Sequence, residues 1–330
     1  MSIGVDAQAF GMANAVVAST NSVSAAYWNP AGLLALEDNQ AILMHANYFA
    51  NIAQYDYAGF AMPIDDDSVM ALSLIRFGVD DILDTTELID SNGNIDFNRI
   101  ELFSAADYGL TFSYARNLKF EGVWFGANAK IIRRVIGDFA SSWGFGIDVG
   151  LQYKSFDKTF ELGLMARDVT TTFNAWAIDE EEFARIQAAV PGQNQELPES
   201  TELTLPKLQL GIAKTFDLRS NLILKSEVDL NMRFTQTNDL ISSSFVSISP
   251  AGGVDLGYND LAFLRVGVGN FQNVTQLDGS ENISIQPNFG VGFKYKGISV
   301  DYALTDIGNA TNVLYSNIFS VKVDWSLFRP

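Results

Sequence analysis

The feature that most restricts this chain is a period of two that recurs along it from about residue 41. In "SWGFGIDVGLQYK", residues 142–154, the bulky Trp143, Phe145, Ile147, Val149, Leu151 and Tyr153 alternate with Gly144, Gly146, Asp148, Gly150, Gln152 and Lys154. Successive side chains of a strand point to opposite faces, so the large apolar groups share one side and the small or charged groups the other. The same division separates Tyr108, Leu110, Phe112 and Tyr114 from Gly109, Thr111 and Ser113, and Phe319, Val321, Val323 and Trp325 from Ser320, Lys322 and Asp324. Alternation alone does not name the solvent, because a soluble sandwich also buries one face of each sheet.

Three further features choose a barrel in lipid. Fourteen such segments can be counted, from 41–51 to 315–328, and the number is even. Their connections alternate in length: "PIDDDS", "NLKFEG", "SFDK", "DLRSN", "ND" and "KG" are short, while 80–106, 171–205, 235–247, 272–282 and 308–314 are longer. Short turns near Asn51 and Ala140 are exceptions on the long side. Short periplasmic turns and long outer loops mark outer-membrane barrels. Aromatic residues also stand at strand ends, among them Tyr108, Trp143, Tyr153, Tyr295 and Trp325, where interfacial girdles form.

Composition removes other classes. With 21 Lys and Arg against 39 Asp and Glu the net charge is -18, which repels phosphate backbones and sets nucleic acid aside. There is no cysteine, so disulfides and thiolate metal sites are out. No apolar run reaches the ~18 to 20 residues of a spanning helix. "MSIGVDAQAF" shows no basic region followed by an apolar one, so no secretory signal is visible there; the strand pattern then implies a mature chain whose signal has been removed.

A barrel of fourteen strands is too wide for its own side chains to fill, since about eight strands already suffice for that. Residues 1–40 are the segment available to occupy the lumen, with residues 41–330 as the barrel and its extracellular loops. "NSVSAAYWNPAGLL", residues 21–34, is broken by Asn29, Pro30 and Gly32 and so is no membrane helix, yet Phe10, Met12, Tyr27, Trp28, Leu33 and Leu34 make the segment too apolar for a solvated tail. The expected fold is therefore all-β: a 14-stranded transmembrane antiparallel β-barrel with an N-terminal plug.

"GMANAVVASTNSVSAAYWNPAGLL" resembles the N-terminal hatch of the FadL-like outer-membrane barrels. Within that superfamily, "FGVDDILDTTELID" and "AKIIRRVIGDFASSWGFGIDVGLQY" resemble the PorV/PorQ family of type IX secretion proteins, the likeness running from about Val5 to the C-terminus. The resemblance implies that Asn29, Pro30 and Ala31, with Gly32 beside them, form the hatch motif that holds the plug in the lumen. It also implies a gram-negative outer-membrane protein of the type IX secretion system. Such a protein binds secreted cargo through C-terminal signal domains, or the translocon barrel, and performs no catalysis.

Several local features invite a site. Loop 171–205 carries a helix signal, Asp179 with Glu182 three residues on, and Phe183, Ile186 and Val190 then share a face before Pro191 and Gly192 stop it. That face, with Phe173 and Trp176, is expected either to close the barrel mouth or to dock a partner. Asp90 to Glu101 has acidic and amide residues at calcium-loop offsets, but Gly93 and Ile95 fall two positions early and an Asx-rich turn explains them better. Asp65, Asp66 and Asp67 read as a solvated periplasmic turn. His45, the only histidine, has no activated Ser beside it in sequence and reads as a structural group in the lumen.

Lys130, Asp148, Lys154, Glu161, Arg167, Lys225, Glu227, Asp229, Arg265, Lys294, Asp301, Lys322 and Asp324 all fall on the small-residue face. A Lys or Arg facing lipid costs ~2 to 4 kcal/mol at mid-bilayer, so these charges are expected to point inward and pair with one another or with the plug. The leading expectation is a type IX secretion component that works by recognition and hand-over through its outer loops, with outer-membrane lipid around it and no cofactor or metal. The alternative is a FadL-like conduit for hydrophobic small molecules, which would need an apolar lining inside the barrel.

Overall fold

The computed structural model describes residues 3–49, 51–89, 93–189, 200–219, 221–275, 279–305 and 316–325. One antiparallel sheet closes on itself around a lumen. Its fourteen staves are β1 (Gln40–Tyr48), β2 (Ala53–Asp65), β3 (Ser68–Asp84), β4 (Glu101–Asn117), β5 (Val123–Ile136) and β6 (Ala140–Lys154); β7 (Phe160–Arg167, continued by Thr172–Ile178) and β8 (Thr201–Thr204 and Lys207–Arg219); then β9 (Leu222–Arg233), β10 (Ser247–Tyr258), β11 (Ala262–Thr275), β12 (Glu281–Tyr295), β13 (Ile298–Thr305) and β14 (Ser316–Asp324). Each pairs with the next, and β1 closes the ring on β14 from Gln40 opposite Asp324 to Asn47 opposite Asn317. A two-residue strand, Ile241–Ser242, adds to the outer end of β10.

The short turns follow from local chemistry. Lys296 and Gly297 both have positive φ, 47° and 78°, the type I′ geometry whose twist matches a hairpin. At the opposite end the rim is uneven. β3 and β4 have 17 residues each whereas β1 has 9. Gln54 is opposite Gly78, so β3 continues from Val79 to Asp84 past the end of β2, roughly 20 Å of strand at ~3.3 Å per residue. The β1–β2 hairpin is therefore a notch in the outer rim.

Outward positions carry the expected apolar band. Trp143, Phe145, Ile147, Phe289, Val291, Phe293, Phe319 and Val321 are exposed on the outside. Gly144, Gly146 and Gly150, and the buried Asp148 and Gln152, take the other face of β6. On β1 to β3 the inner face is apolar as well: Ile42, Met44, Ala46, Tyr48, Tyr55, Tyr57 and Ile75 are the buried, inward residues. Their partners on the N-terminal segment are apolar, and that decides their parity. His45 is consequently on the outer face, a correction to its expected place in the lumen. It is 2.7 Å from Asp56 and 3.1 Å from Asn47.

Segment 171–205 also differs from a plain loop. Thr172–Ile178 and Thr201–Thr204 are strands that extend β7 and β8 outward. Asp168 and Thr171, with φ of 53° and 58°, make the break between the two halves of β7. The expected helix is present as α3, Glu180–Ala189, with the Asp179 side chain accepting from the backbone N–H of Glu181 and Glu182 at 3.0 and 3.1 Å.

Candidate functional site

The lumen and what lies in it define the site. The N-terminal segment contributes α1 (Ala7–Gly11), α2 (Ala25–Trp28) and a 3-10 turn at Pro30–Ala35. α1 packs on β11 to β14 and the 3-10 turn on β3 to β6, so the segment crosses the barrel interior. Most of it is shielded; Val5, Ala7, Val17, Ala25 and Leu33 have no exposed surface.

Glycines on the inner wall let its backbone approach. A Cβ at Gly126 would overlap Pro30 and Ala31; at Gly150, Asn29; at Gly163, Val17 and Ala18; at Gly253, Met12; at Gly267, Met12 and Ala13. The small residues that alternate with aromatics in the sequence are thus the mould for the segment.

Asn29 is fully buried. Its Nδ2 donates to the carbonyls of Val17 and Leu151, both at 3.0 Å, and its Oδ1 accepts from the Ala31 N–H at 3.3 Å, capping the 3-10 turn that Pro30 opens. Gly32 lies against the Thr20 carbonyl, where a Cβ has no room. The four motif residues are thus together, between the segment and the wall of β5 to β7.

Charges tie the segment to the opposite wall. Asp229 accepts the backbone N–H of Val16 at 3.0 Å and of Val17 at 3.1 Å, and Glu227 that of Ala18 at 2.6 Å. Asp6 accepts from Lys322 Nζ, Ser24 Oγ and Ser320 Oγ, each at 2.9 Å. Burial works to raise the Asp6 carboxyl, but the Lys322 ammonium and these hydrogen bonds outweigh it and hold it below the usual carboxylate range. Lys322 is also 3.3 Å from Asp301, which is 2.6 Å from Arg265, itself 2.8 Å from Asp255. Elsewhere Lys130 bridges Asp148 at 2.6 Å and Asp168 at 2.5 Å. Most of the inward charges read from the sequence are therefore paired as expected, Arg167 being an exception, but Asp6 was missed; its signal is a lone acid in the apolar stretch "GVDAQAF".

An apolar cluster packs on the other side. Tyr48 and Tyr55 stack at 6.0 Å, and Phe77 sits 6.0 Å from Tyr55 and 6.5 Å from Tyr48. The hydroxyls of Tyr48 and Tyr55 are buried without a hydrogen-bond partner. Val79 packs against the same cluster beside the rim notch, where Phe49 and Ile52 are exposed, and Trp28 and Val23 of the N-terminal segment belong to it. This departs from the division read along the sequence, in which small or charged residues take the inner face.

The loop residues do not form the expected single surface. Strand alternation sends Phe173 outward, 49% exposed, while Trp176 lies within hydrogen-bond distance of Glu202 at 3.2 Å and under the Arg134 guanidinium at 5.1 Å. Phe183 is half-buried on α3, which is tied to the β3 end by Arg185 at 3.5 Å from Asp84. Ile186 is on α3, its side chain outside the described residues, and Val190 lies outside them altogether. Asp90 and Asn92 are likewise outside; Asp96 caps a turn through the Asn98 N–H at 3.1 Å, and among the described residues no acidic group has metal-ligand geometry. In the Asp65–Asp67 turn, Asp65 accepts from the Asp67 N–H at 2.9 Å.

No protein-family model matches the chain, and no curated protein does. Solved structures do. A Pseudomonas aeruginosa FadL homologue aligns with a TM-score of 0.56 at 13% identity, covering 98% of this chain and 99% of that one. The CymD monoaromatic hydrocarbon channel aligns at 0.60 and 11%, covering 98% of each, and the P. putida toluene transporter TodX at 0.58 and 13%, covering 97% and 98%. The chain therefore has the fold of the FadL-type outer-membrane barrels along essentially its whole length. At these identities the likeness speaks for architecture, and the PorV/PorQ assignment has no family match behind it.

Proposed function

We propose that this is an outer-membrane barrel through which hydrophobic small molecules pass, entering at the β1–β2 notch. The observation that carries the reading is the apolar cluster of Tyr48, Tyr55, Phe77 and Val79 on the inner wall, which lies beside the exposed Phe49 and shares one packed core with the buried Trp28. An apolar lining was the requirement for a conduit, and aromatic faces hold an apolar solute without demanding a polar partner. The names of the structural neighbours, a toluene transporter and a monoaromatic hydrocarbon channel, agree with it. Residues 1–40 serve as the plug in this proposal, with Asn29, Pro30, Ala31 and Gly32 as its anchor, and no covalent chemistry is involved.

A second reading is supported by the same segment. It is fixed to the wall through backbone contacts at Gly126, Gly163, Gly253 and Gly267 and through Asp229, Glu227 and Lys322, a construction suited to a closed barrel that works from its rim. That is the type IX secretion component that the hatch and barrel sequences resemble, binding cargo or translocon through the outer loops.

One pair of measurements separates the two. Vesicles containing the purified barrel should take up a labelled monoaromatic hydrocarbon faster than empty vesicles, and Tyr55→Arg should abolish the difference. Absence of barrel-dependent uptake, together with co-purification of a translocon barrel or of cargo bearing C-terminal signal domains from solubilised outer membranes, would replace the first reading with the second.

A further inference from the structure

On the outer side of the N-terminal segment, three cations stand in a row on neighbouring strands. Lys207 of β8 is directly opposite Arg167 of β7 on one side and Arg233 of β9 on the other, and all three face the lumen. Directly opposed residues on adjacent strands have Cβ atoms ~4.5 to 5.5 Å apart, and like charges so placed destabilise the sheet. The row lines a cavity of about 260 Å³, and among the described residues no carboxylate lines it with them. That is notable in a chain whose acids outnumber its bases 39 to 21.

Two acids stand at the edges of the row: Asp168, bound by Lys130 and Thr172, each at 2.5 Å, shares a smaller cavity with Arg167 and Lys207, and the buried Asp239 pairs with Arg233 at 3.5 Å. Lys207 has no hydrogen bond or ion pair among the described residues. Arg167 donates Nε to Gln209 at 2.6 Å and lies over the Tyr27 ring at 4.5 Å, but its Nη2 is buried without a partner. A buried guanidinium donor left open is costly unless an acceptor fills the place. Neutral amides, including Asn14, Asn231, Asn270 and Asn288, complete the lining, with Phe10 and Trp28 on one side.

We propose that Arg167, Lys207 and Arg233 bind a compact oxyanion of the phosphate class, carried either by the free ion or as the head of a small organic ester. The three opposed cations keep this wall of the cavity positive even with Asp239 at the Arg233 end, and the Arg forks suit tetrahedral oxygens. The proposal stands apart from the passage of hydrophobic molecules and does not fall with it.

The test uses the full chain in detergent at constant ionic strength. Calorimetric titration with inorganic phosphate should show saturable binding that chloride does not reproduce, and Lys207→Gln should weaken it at least tenfold. Because that substitution relieves the row, the variant should melt higher than the parent in phosphate-free chloride buffer yet gain less from added phosphate. Arg233→Gln tests the other end of the row by phosphate affinity alone, since it also removes the partner of the buried Asp239. A parallel titration with phenyl phosphate distinguishes the sources: affinity tenfold above inorganic phosphate assigns an organic ester, and equal affinity assigns the free ion. Indistinguishable responses to phosphate and chloride, or unchanged phosphate affinity in both variants, would overturn the site.

Discussion

Removing the Lys322 ammonium should loosen the N-terminal segment far more than removing the Asp6 carboxylate, although the two are partners at 2.9 Å. The reason is the charge balance of the buried cluster. Asp6, Asp255 and Asp301 face Arg265 and Lys322, which sums to -1. Asp6→Asn brings the cluster to zero, and the amide still accepts from Ser24 or Ser320, so the loss is of the order of 1 kcal/mol. Lys322→Met brings it to -2 and leaves Asp6, 1% exposed, with no cation. Orphaning a buried charge costs about 3 to 5 kcal/mol. At ~1.36 kcal/mol per factor of ten, that is roughly a hundred- to several-thousand-fold rise in the released population, against about tenfold or less for Asp6→Asn. The chain has no cysteine, so a single Ala18→Cys reporter, fully buried in the parent, can be labelled with a maleimide only when the segment opens. Labelling rates in the two backgrounds measure the two populations. Equal rates, or a faster rate for Asp6→Asn, would refute the charge-balance reasoning.

Other outcomes follow from the same contacts. Gly126→Ala drives a Cβ into the backbone of Pro30 and Ala31 and should cost about 1 to 3 kcal/mol or more in urea unfolding, whereas Gly252→Ala, whose nearest neighbour is at 3.8 Å, should stay within about 0.5 kcal/mol. Asn29→Ala leaves the carbonyls of Val17 and Leu151 without their donor and should cost about 1 to 3 kcal/mol by the same measurement. Ile147→Arg, on the lipid face, should cost up to ~2 to 4 kcal/mol on folding into vesicles, with little effect on segment labelling. Asp6 has a carboxyl held low in the folded state, so its contribution is present above the unfolded pKa of ~3.9 and is lost as pH falls through the lower folded value. Peptic cleavage within residues 7–35 should therefore rise below about pH 4 more steeply in the parent than in Asp6→Asn.

The wall was legible in the sequence because one physical rule wrote most of it. Lipid outside and a polar or closely packed interior force a period of two, and the fourteen segments counted from that period are the fourteen staves. Stave ends were less legible: β7 and β8 continue past the expected boundary because Thr172–Ile178 pairs with Ala140–Phe145 of β6 and with Thr201–Thr204. Alternation there sends Phe173 and Trp176 to opposite sides, which a helix-based grouping could not foresee. Lys207 and Arg233 passed unnoticed for a related reason, since a row across strands exists only once register is fixed, and residues 167, 207 and 233 are far apart along the chain.

The parity of β1 to β3 has a different origin. A strand whose two faces meet lipid and an apolar plug receives apolar residues on both, so period two loses its power to say which face is which. His45 and Ile42 through Tyr48 illustrate this: the histidine sits on the outer face, balanced by Asp56 at 2.7 Å, because the alternate positions are needed by the inner cluster around Trp28 and Val23. Elsewhere on the wall the inner face meets glycine-fitted backbone or paired charge, and the apolar side is unambiguous. The place where the sequence misleads is thus the place where the barrel interior meets apolar side chains of the N-terminal segment instead of its glycine-fitted backbone or paired charge, on three consecutive staves beside the low rim.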